Sequence, residues 1–177
     1  MRNALLILVS LAFLGMAGCV QQTVSTPPPA GIEKIVTRDD ADGKTTYRYE
    51  PHKSSGLSAF GFQPAVAKKG GKKTLQAHLH YSTQSRIAAN AVHVRINNDA
   101  PVKIAAVLER SERQKDKYAT IFEETVLLSG MTPDTLQQIA NAQSVVFHLS
   151  GAGAHDIPLT AQDQEGIRWL LSVLQAP

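Results

Sequence analysis

Hydrophobic and polar positions alternate along much of residues 32–177, and the dominant period is two. From Thr74 to Ser82, Leu75, Ala77, Leu79 and Tyr81 share one face and Gln76, His78, His80 and Ser82 the other. That pattern predicts a half-buried strand. Ala91 to Asn97 repeats it, with Val92, Val94 and Ile96 inward and His93, Arg95 and Asn97 outward, and Asn97-Asn98-Asp99 reads as a turn. Ile32–Arg38 and Lys44–Glu50 flank Asp39-Asp40-Ala41-Asp42-Gly43; Asp-Gly between two β-rich runs predicts a hairpin. Tyr118–Leu128, Ser144–Ser150 and Ile157–Leu159 read as further strands. Val102–Arg110 turns from apolar to charged, so it reads as one strand leaving the core, followed by a solvated loop over Ser111–Lys117. Residues 51–72 are rich in glycine and proline, with short extended pieces around Leu57–Phe62.

The period changes twice in the last third. Thr132-Pro133-Asp134 is a helix start: a Thr cap, Pro at the first helical position and an acid at the positive dipole end. Leu136, Ile139 and Ala140 give that helix one apolar stripe. Thr160 and Asp163 have the outline of a capping box, with Asp in place of the usual Glu or Gln. The terminal helix sets Ile167, Leu170, Leu171 and Leu174 on one side, and Trp169 and Val173 widen that face. Gly166 weakens this helix by about 1 kcal/mol relative to Ala. Strands outnumber helices and short loops join most of them. Residues 32–177 therefore read as a single α+β domain: a mainly antiparallel sheet with two C-terminal-half helices packed on one face.

The chain ahead of this domain has a different character. Met1-Arg2-Asn3 is a short positive end, and Ala4 to Gly18 is uncharged and mostly aliphatic. That run is shorter than the ~20 residues a membrane-spanning helix needs and reads as a signal h-region. Its end, Met16-Ala17-Gly18-Cys19, resembles the lipobox of bacterial lipoproteins, with Met where Leu is usual. The resemblance covers residues 1–19. It implies a signal peptide over 1–18, cleavage before Cys19, and a diacylglycerol and further acyl chains of the palmitate type on the Cys19 thiol. Cys19 is the only cysteine, so it has no disulfide partner within the chain. Two or more acyl chains hold a protein stably to a membrane. Val20, rather than Asp, follows the cysteine; by the same resemblance this implies the outer membrane, facing the periplasm. Residues 19–31 then form a lipidated, Pro-rich tether. Pro27-Pro28-Pro29 favours extended polyproline conformation, and residues 20–31 reach about 40 Å when extended.

Charge excludes little beyond nucleic acid. The formal net charge is +3, and Arg2 leaves with the signal. One cluster stands out: Lys68-Lys69-Gly70-Gly71-Lys72-Lys73. As a mobile basic loop it would meet an anionic surface through Lys68, Lys69, Lys72 and Lys73, each lysine contributing about 1 kcal/mol near anionic lipid. As a hairpin tip it would only guard a sheet edge. No aromatic residue is interleaved, which argues against a nucleic-acid stacking surface.

Histidine offers the best candidate chemistry. His78 and His80 are two apart on a strand and share a face, and His93 lies on the polar face of the next predicted strand. Pairing of those strands would bring three imidazoles together, as zinc or copper sites require. Arg95 on the same face opposes a cation, no carboxylate is placed beside them by the sequence, and a solvated polar face accounts for the same residues. Asp39–Gly43 hints at calcium. However, aligning Gly43 with an EF-hand glycine puts Arg38 and Tyr49 at ligand positions, so a turn explains it better. Ser150-Gly151-Ala152-Gly153-Ala154-His155-Asp156 gathers triad residue types in one loop, but triads assemble in space and a turn suffices. Glu109, Glu112, Glu123 and Glu124 form no poised pair, since Glu123 and Glu124 point to opposite faces of a strand.

These features predict a membrane-anchored lipoprotein of the cell envelope. Its domain reads as a non-catalytic interaction or assembly module that binds another envelope component, a protein partner rather than nucleic acid, with no cofactor beyond the acyl lipid on Cys19. The alternative is a ligand- or metal-binding lipoprotein, or a small hydrolase, working through the histidine-bearing face.

Overall fold

The computed structural model describes residues 32–51, 59–115 and 118–177. The signal, lipobox and tether of residues 1–31 lie outside them, as do residues 52–58. The described chain runs β1 (Lys34–Asp39), β2 (Lys44–Tyr49), β3 (Ala59–Lys69), β4 (Lys72–Thr83), β5 (Ala91–Ile96), β6 (Val102–Ile104), β7 (Val107–Lys115), β8 (Thr120–Leu127), α1 (Pro133–Asn141), β9 (Val145–Ser150), β10 (Ala154–Pro158) and α2 (Ala161–Gln175). It is an α+β protein of antiparallel sheets with two late helices. The strands divide into a six-stranded sheet, β1-β2-β3-β4-β8-β7, and a four-stranded sheet, β10-β9-β5-β6.

Alternation decides which faces meet. In the six-stranded sheet Tyr49, Phe62, Val66, Ala77, Leu79, Tyr81 and Val126 point inward; in the other sheet Val92, Val94, Ile104, Phe147 and Leu149 do. The inner faces touch where Phe62 meets Phe147, ring centroids 4.9 Å apart. One buried cluster spans both sheets and includes Leu136 and Ile139 of α1 and Ile167 and Leu170 of α2. α2 lies against β2 and β3, and α1 packs on α2.

Local chemistry sets the element ends. Gly43 has φ of 60° in the β1–β2 turn, and Gly70 and Gly71, at 56° and 79°, make the β3–β4 turn. Two successive positive φ values match the twist that joins hairpin strands, and glycine reaches them without strain. Thr132 caps α1, accepting from the Thr135 N–H at 3.1 Å. At α2 the capping box is complete in both directions: the Asp163 N–H donates to the Thr160 hydroxyl at 3.2 Å, and the Thr160 N–H donates to the Asp163 carboxylate at 3.1 Å.

Three segments depart from the periodicity reading. Residues 59–69, expected only as short extended pieces, form an 11-residue strand; it tolerates Gly61 and Pro64 because residues on both flanks hold its register. Val102–Arg110 is not one strand. The chain leaves the four-stranded sheet after Ile104 and enters the six-stranded sheet at Val107. Residues 111–115, expected as loop, continue β7. β7 is an edge strand with nearly every residue exposed. It therefore shows no alternation, and its charges suit an edge that must not pair with another chain.

Candidate functional site

Polar side chains of the outer face of the six-stranded sheet gather at a concavity. Arg48 of β2, Gly61 and Gln63 of β3, His80 of β4 and Glu123 of β8 line a cleft of about 440 Å³. Period-two geometry puts all of them opposite the buried residues. Gly61 leaves the floor low; a Cβ there would sit 3.0 Å from the Pro51 ring. The cleft offers a guanidinium, a carboxamide, an imidazole and the carboxylates of Glu50, Glu123 and the hydrogen-bonded Glu124, so it suits a polar contact that presents positive as well as negative groups.

The histidines do not converge as three. β4 and β5 belong to different sheets, so His93 does not join the face of His78 and His80. His78 and His80 are stacked with ring centroids 6.0 Å apart. Each has its own partner. His80 Nδ1 lies 3.0 Å from the Thr125 hydroxyl, and His78 Nε2 lies 3.3 Å from a Glu109 carboxylate oxygen. Alternation alone did not place that carboxylate. A register shift between Leu108 and Arg110 leaves Glu109 as the extra residue of a bulge, on the His78 face. Among the described residues no group of three or more His, Cys, Asp or Glu is placed to hold a metal together.

His93 has different neighbours. It is paired across β5 and β9 with His148, ring centroids 6.5 Å apart. His148 is paired across β9 and β10 with Asp156, and its Nδ1 is 2.5 Å from the Asp156 carboxylate. His93, Arg95, Pro101, Val146, His148 and Asp156 surround a concavity of about 300 Å³ on the outer face of the four-stranded sheet. The sequence places His148 in a strand but Asp156 in a turn; β10 begins earlier, at Ala154, and only the cross-strand register shows that both share a row with His93.

The lysine cluster is a hairpin tip rather than a mobile loop. Lys69 is opposite Lys72 and Lys68 opposite Lys73, so the four lysines divide between the two faces. Lys69 pairs with Asp42 at 3.4 Å. Lys73 donates to the Leu174 carbonyl at 3.3 Å and also to the Ala176 carbonyl, at the end of α2. The Asp42 of the Asp39–Gly43 segment is thus an ion-pair partner in a turn.

Glu124 is the buried charge that sequence pattern did not single out. It is 2 % exposed and accepts the N–H groups of Ile87 at 3.2 Å and Ala88 at 2.9 Å and the Ser111 hydroxyl at 2.8 Å. Arg86 Nε stands 3.9 Å away. Ala88 has φ of 45°, a strained value for a non-glycine residue, and the carboxylate helps hold it. From the other side the Ala152 and Gly153 N–H groups both donate to the Ile87 carbonyl. A Cβ on Gly151 would lie 2.3 Å from the Ala88 carbonyl oxygen. The glycines of Ser150–Asp156 therefore allow close backbone contact. The triad residue types there are dispersed: His155 stacks on Phe60 at 4.2 Å, while Asp156 meets His148. No family model, no curated protein and no solved structure matches this chain.

Proposed function

We propose that this chain is an exported lipoprotein, acylated on Cys19, whose domain binds another component of the cell envelope without catalysing a reaction. The lipobox-like Met16-Ala17-Gly18-Cys19 after an uncharged run, and the Pro-rich segment behind it, support the anchor. Among the described residues no helix is long and apolar enough to cross a membrane; in this reading the acyl chains hold the protein, and residues 19–31 set its reach. The outer membrane, periplasmic side, is the address that Val20 favours.

The observation that carries the binding role is the cleft on the outer face of the six-stranded sheet. Arg48, Gln63, His80 and Glu123 come from four adjacent strands. Residues fixed on paired strands present one pre-formed surface, and binding to it orders little chain. A protein partner with paired charges would match Arg48 and Glu123 together. The same cleft favours one second reading, a small polar ligand, since about 440 Å³ falls within the ~300–1,000 Å³ of ligand pockets.

The test is an in-cell crosslink. A photo-reactive residue in place of Gln63, in the full-length chain, should yield one abundant protein adduct from the membrane fraction, and Cys19→Ser should abolish both membrane recovery and adduct. Membrane recovery unaffected by Cys19→Ser would overturn the anchor. Good membrane recovery with no protein adduct would overturn the partner and leave the small-ligand reading.

A further inference from the structure

We propose that His93 and His148 form a two-histidine binding site for a borderline transition-metal cation, zinc(II) or copper(II), with Asp156 as the residue that positions His148. The site lies on the outer face of the four-stranded sheet and is independent of the cleft on the other sheet and of the lipid anchor.

Register carries the argument. Asp156, His148 and His93 occupy directly opposed positions on β10, β9 and β5, so all three project from the same face in one row. His148 stands in the middle. Its Nδ1 is 2.5 Å from the Asp156 carboxylate. An imidazole that donates its Nδ1–H to a carboxylate keeps its Nε2 lone pair for a ligand, and that nitrogen lies on the ring's opposite side. Metal-binding histidines are commonly oriented in this way. Asp156 comes from one neighbouring strand and His93 from the other, so His148 stands in the row between its carboxylate partner and the second imidazole.

The distance is compatible with a shared ion. The rings of His93 and His148 are 6.5 Å apart, centroid to centroid, and inclined at 48°. Metal–nitrogen bonds of ~2.0–2.1 Å require the rings to approach by roughly 1 Å from this separation for a tetrahedral site. Rotation about the side-chain bonds of two outward-facing residues supplies that, and His148 is 49 % exposed at its side chain. The surrounding concavity of about 300 Å³ has room for the ion and the solvent that would complete its coordination. Among the described residues no group of three or more His, Cys, Asp or Glu is placed to hold a metal together, so the ion would rest on two histidines and solvent, with Asp156 as the orienting carboxylate. Imidazole nitrogen selects zinc and copper over magnesium or calcium.

Arg95 borders the same concavity, and Lys103 is opposite His93 on β6. Both charges repel a cation, so they lower its affinity, and their removal should raise it. This gives the proposal a signature that an anion site would reverse.

The experiment is calorimetric titration of the full-length protein in detergent with zinc(II) and, separately, copper(II). One equivalent should bind. His93→Ala and His148→Ala should each weaken binding at least tenfold, and Asp156→Asn, which keeps the shape and loses the charge, by about 10–100-fold. Arg95→Ala should tighten it. The pair His78→Ala/His80→Ala should bind like the parent. A two-dimensional NMR spectrum of the unmutated protein should show the His93 and His148 ring signals moving or broadening first, which separates binding from any loss of folding in the variants. No uptake, uptake indifferent to His93→Ala and His148→Ala, or uptake abolished by His78→Ala/His80→Ala would overturn the proposal. Weaker metal binding in Arg95→Ala would also overturn it, because Arg95 would then support the site instead of repelling the ion. None of these outcomes depends on acylation.

Discussion

Gly166 shows how a single position reverses its meaning once its neighbour is known. In an isolated helix, glycine costs about 1 kcal/mol relative to alanine, so the sequence marks it as a defect. A Cβ there would sit 2.5 Å from Cγ of Tyr49. Tyr49 is fully buried, and its hydroxyl donates to the Phe62 carbonyl at 3.3 Å, so the ring has no place to retreat. Gly166→Ala should therefore destabilise the protein by about 1–3 kcal/mol through overpacking, read as a lower urea midpoint; a raised midpoint would mean α2 can shift freely. Glu124→Ala should cost more, about 3 kcal/mol or above, because it strands two buried backbone donors and a hydroxyl. The two buried phenols add a pH prediction. Burial, and then the charge of Asp163, raise Tyr49 well above the ordinary phenol value. Burial raises Tyr81 as well; the Ala89 N–H opposes that, and Glu124 adds to it. Charging either tyrosine is harder folded than unfolded. Their contribution is thus complete below the ordinary value of about 10 and is lost as pH climbs above it through the raised folded values. Urea midpoints at about pH 8 and about pH 10.5 should show the drop, and Tyr81→Phe should shrink it.

At the scale of elements, the helices end without help from their own sequence. Neither α1 nor α2 has a basic residue in its last turn, yet both receive cations from elsewhere. Arg168 of α2 donates to the Ala140 carbonyl at 2.7 Å, and Gln164 donates to Ile139 at 3.0 Å and to Ala142 at 2.8 Å. These carbonyls lie in the last turn and cap of α1, where intrahelical donors run out; Ile139 also receives the cap N–H of Ala142, at 3.4 Å. Lys73, from the β3–β4 hairpin, does the same for α2. Arg168→Met and Lys73→Met keep the aliphatic stem and remove the charge. Each should lower stability by about 1–2 kcal/mol. Equal stability to the parent in chemical denaturation would show that solvent replaces these donors. The starts of both helices were legible, because Thr132 and Thr160 act on residues three positions away. The ends were not, because the groups that close them lie far along the chain. The same reason hid β7. An edge strand buries neither face fully, so its charges mimic a loop, and only its register with β8 identifies it.

At the scale of the molecule, α+β composition and the inward face of each strand were readable from alternation, but the division into two sheets was not. Nothing between Ile104 and Val107 signals a crossing in the sequence; the junction is held by the Gly130 N–H donating to the Ala105 carbonyl at 3.0 Å. That division decides the candidate sites. It separates His93 from His78 and His80, and it creates the Asp156–His148–His93 row. It also makes a thermodynamic demand, because two sheets joined only by chain could unfold separately. Here one apolar cluster runs through both sheets and both helices, with Phe62 and Phe147 in contact at its centre. Residues 32–177 should therefore unfold in a single transition. The one tryptophan, Trp169, reports on α2 packed against the six-stranded sheet. Far-ultraviolet circular dichroism reports on all the strands. The two signals should lose their native values at the same urea concentration. Phe62→Ala and Phe147→Ala should each cost about 3–5 kcal/mol, and the double change should cost clearly less than their sum, since the two side chains share one contact. Separate transitions, or strict additivity of the pair, would mean that the sheets are stabilised independently and that the four-stranded sheet can open while the cleft on the other sheet stays intact.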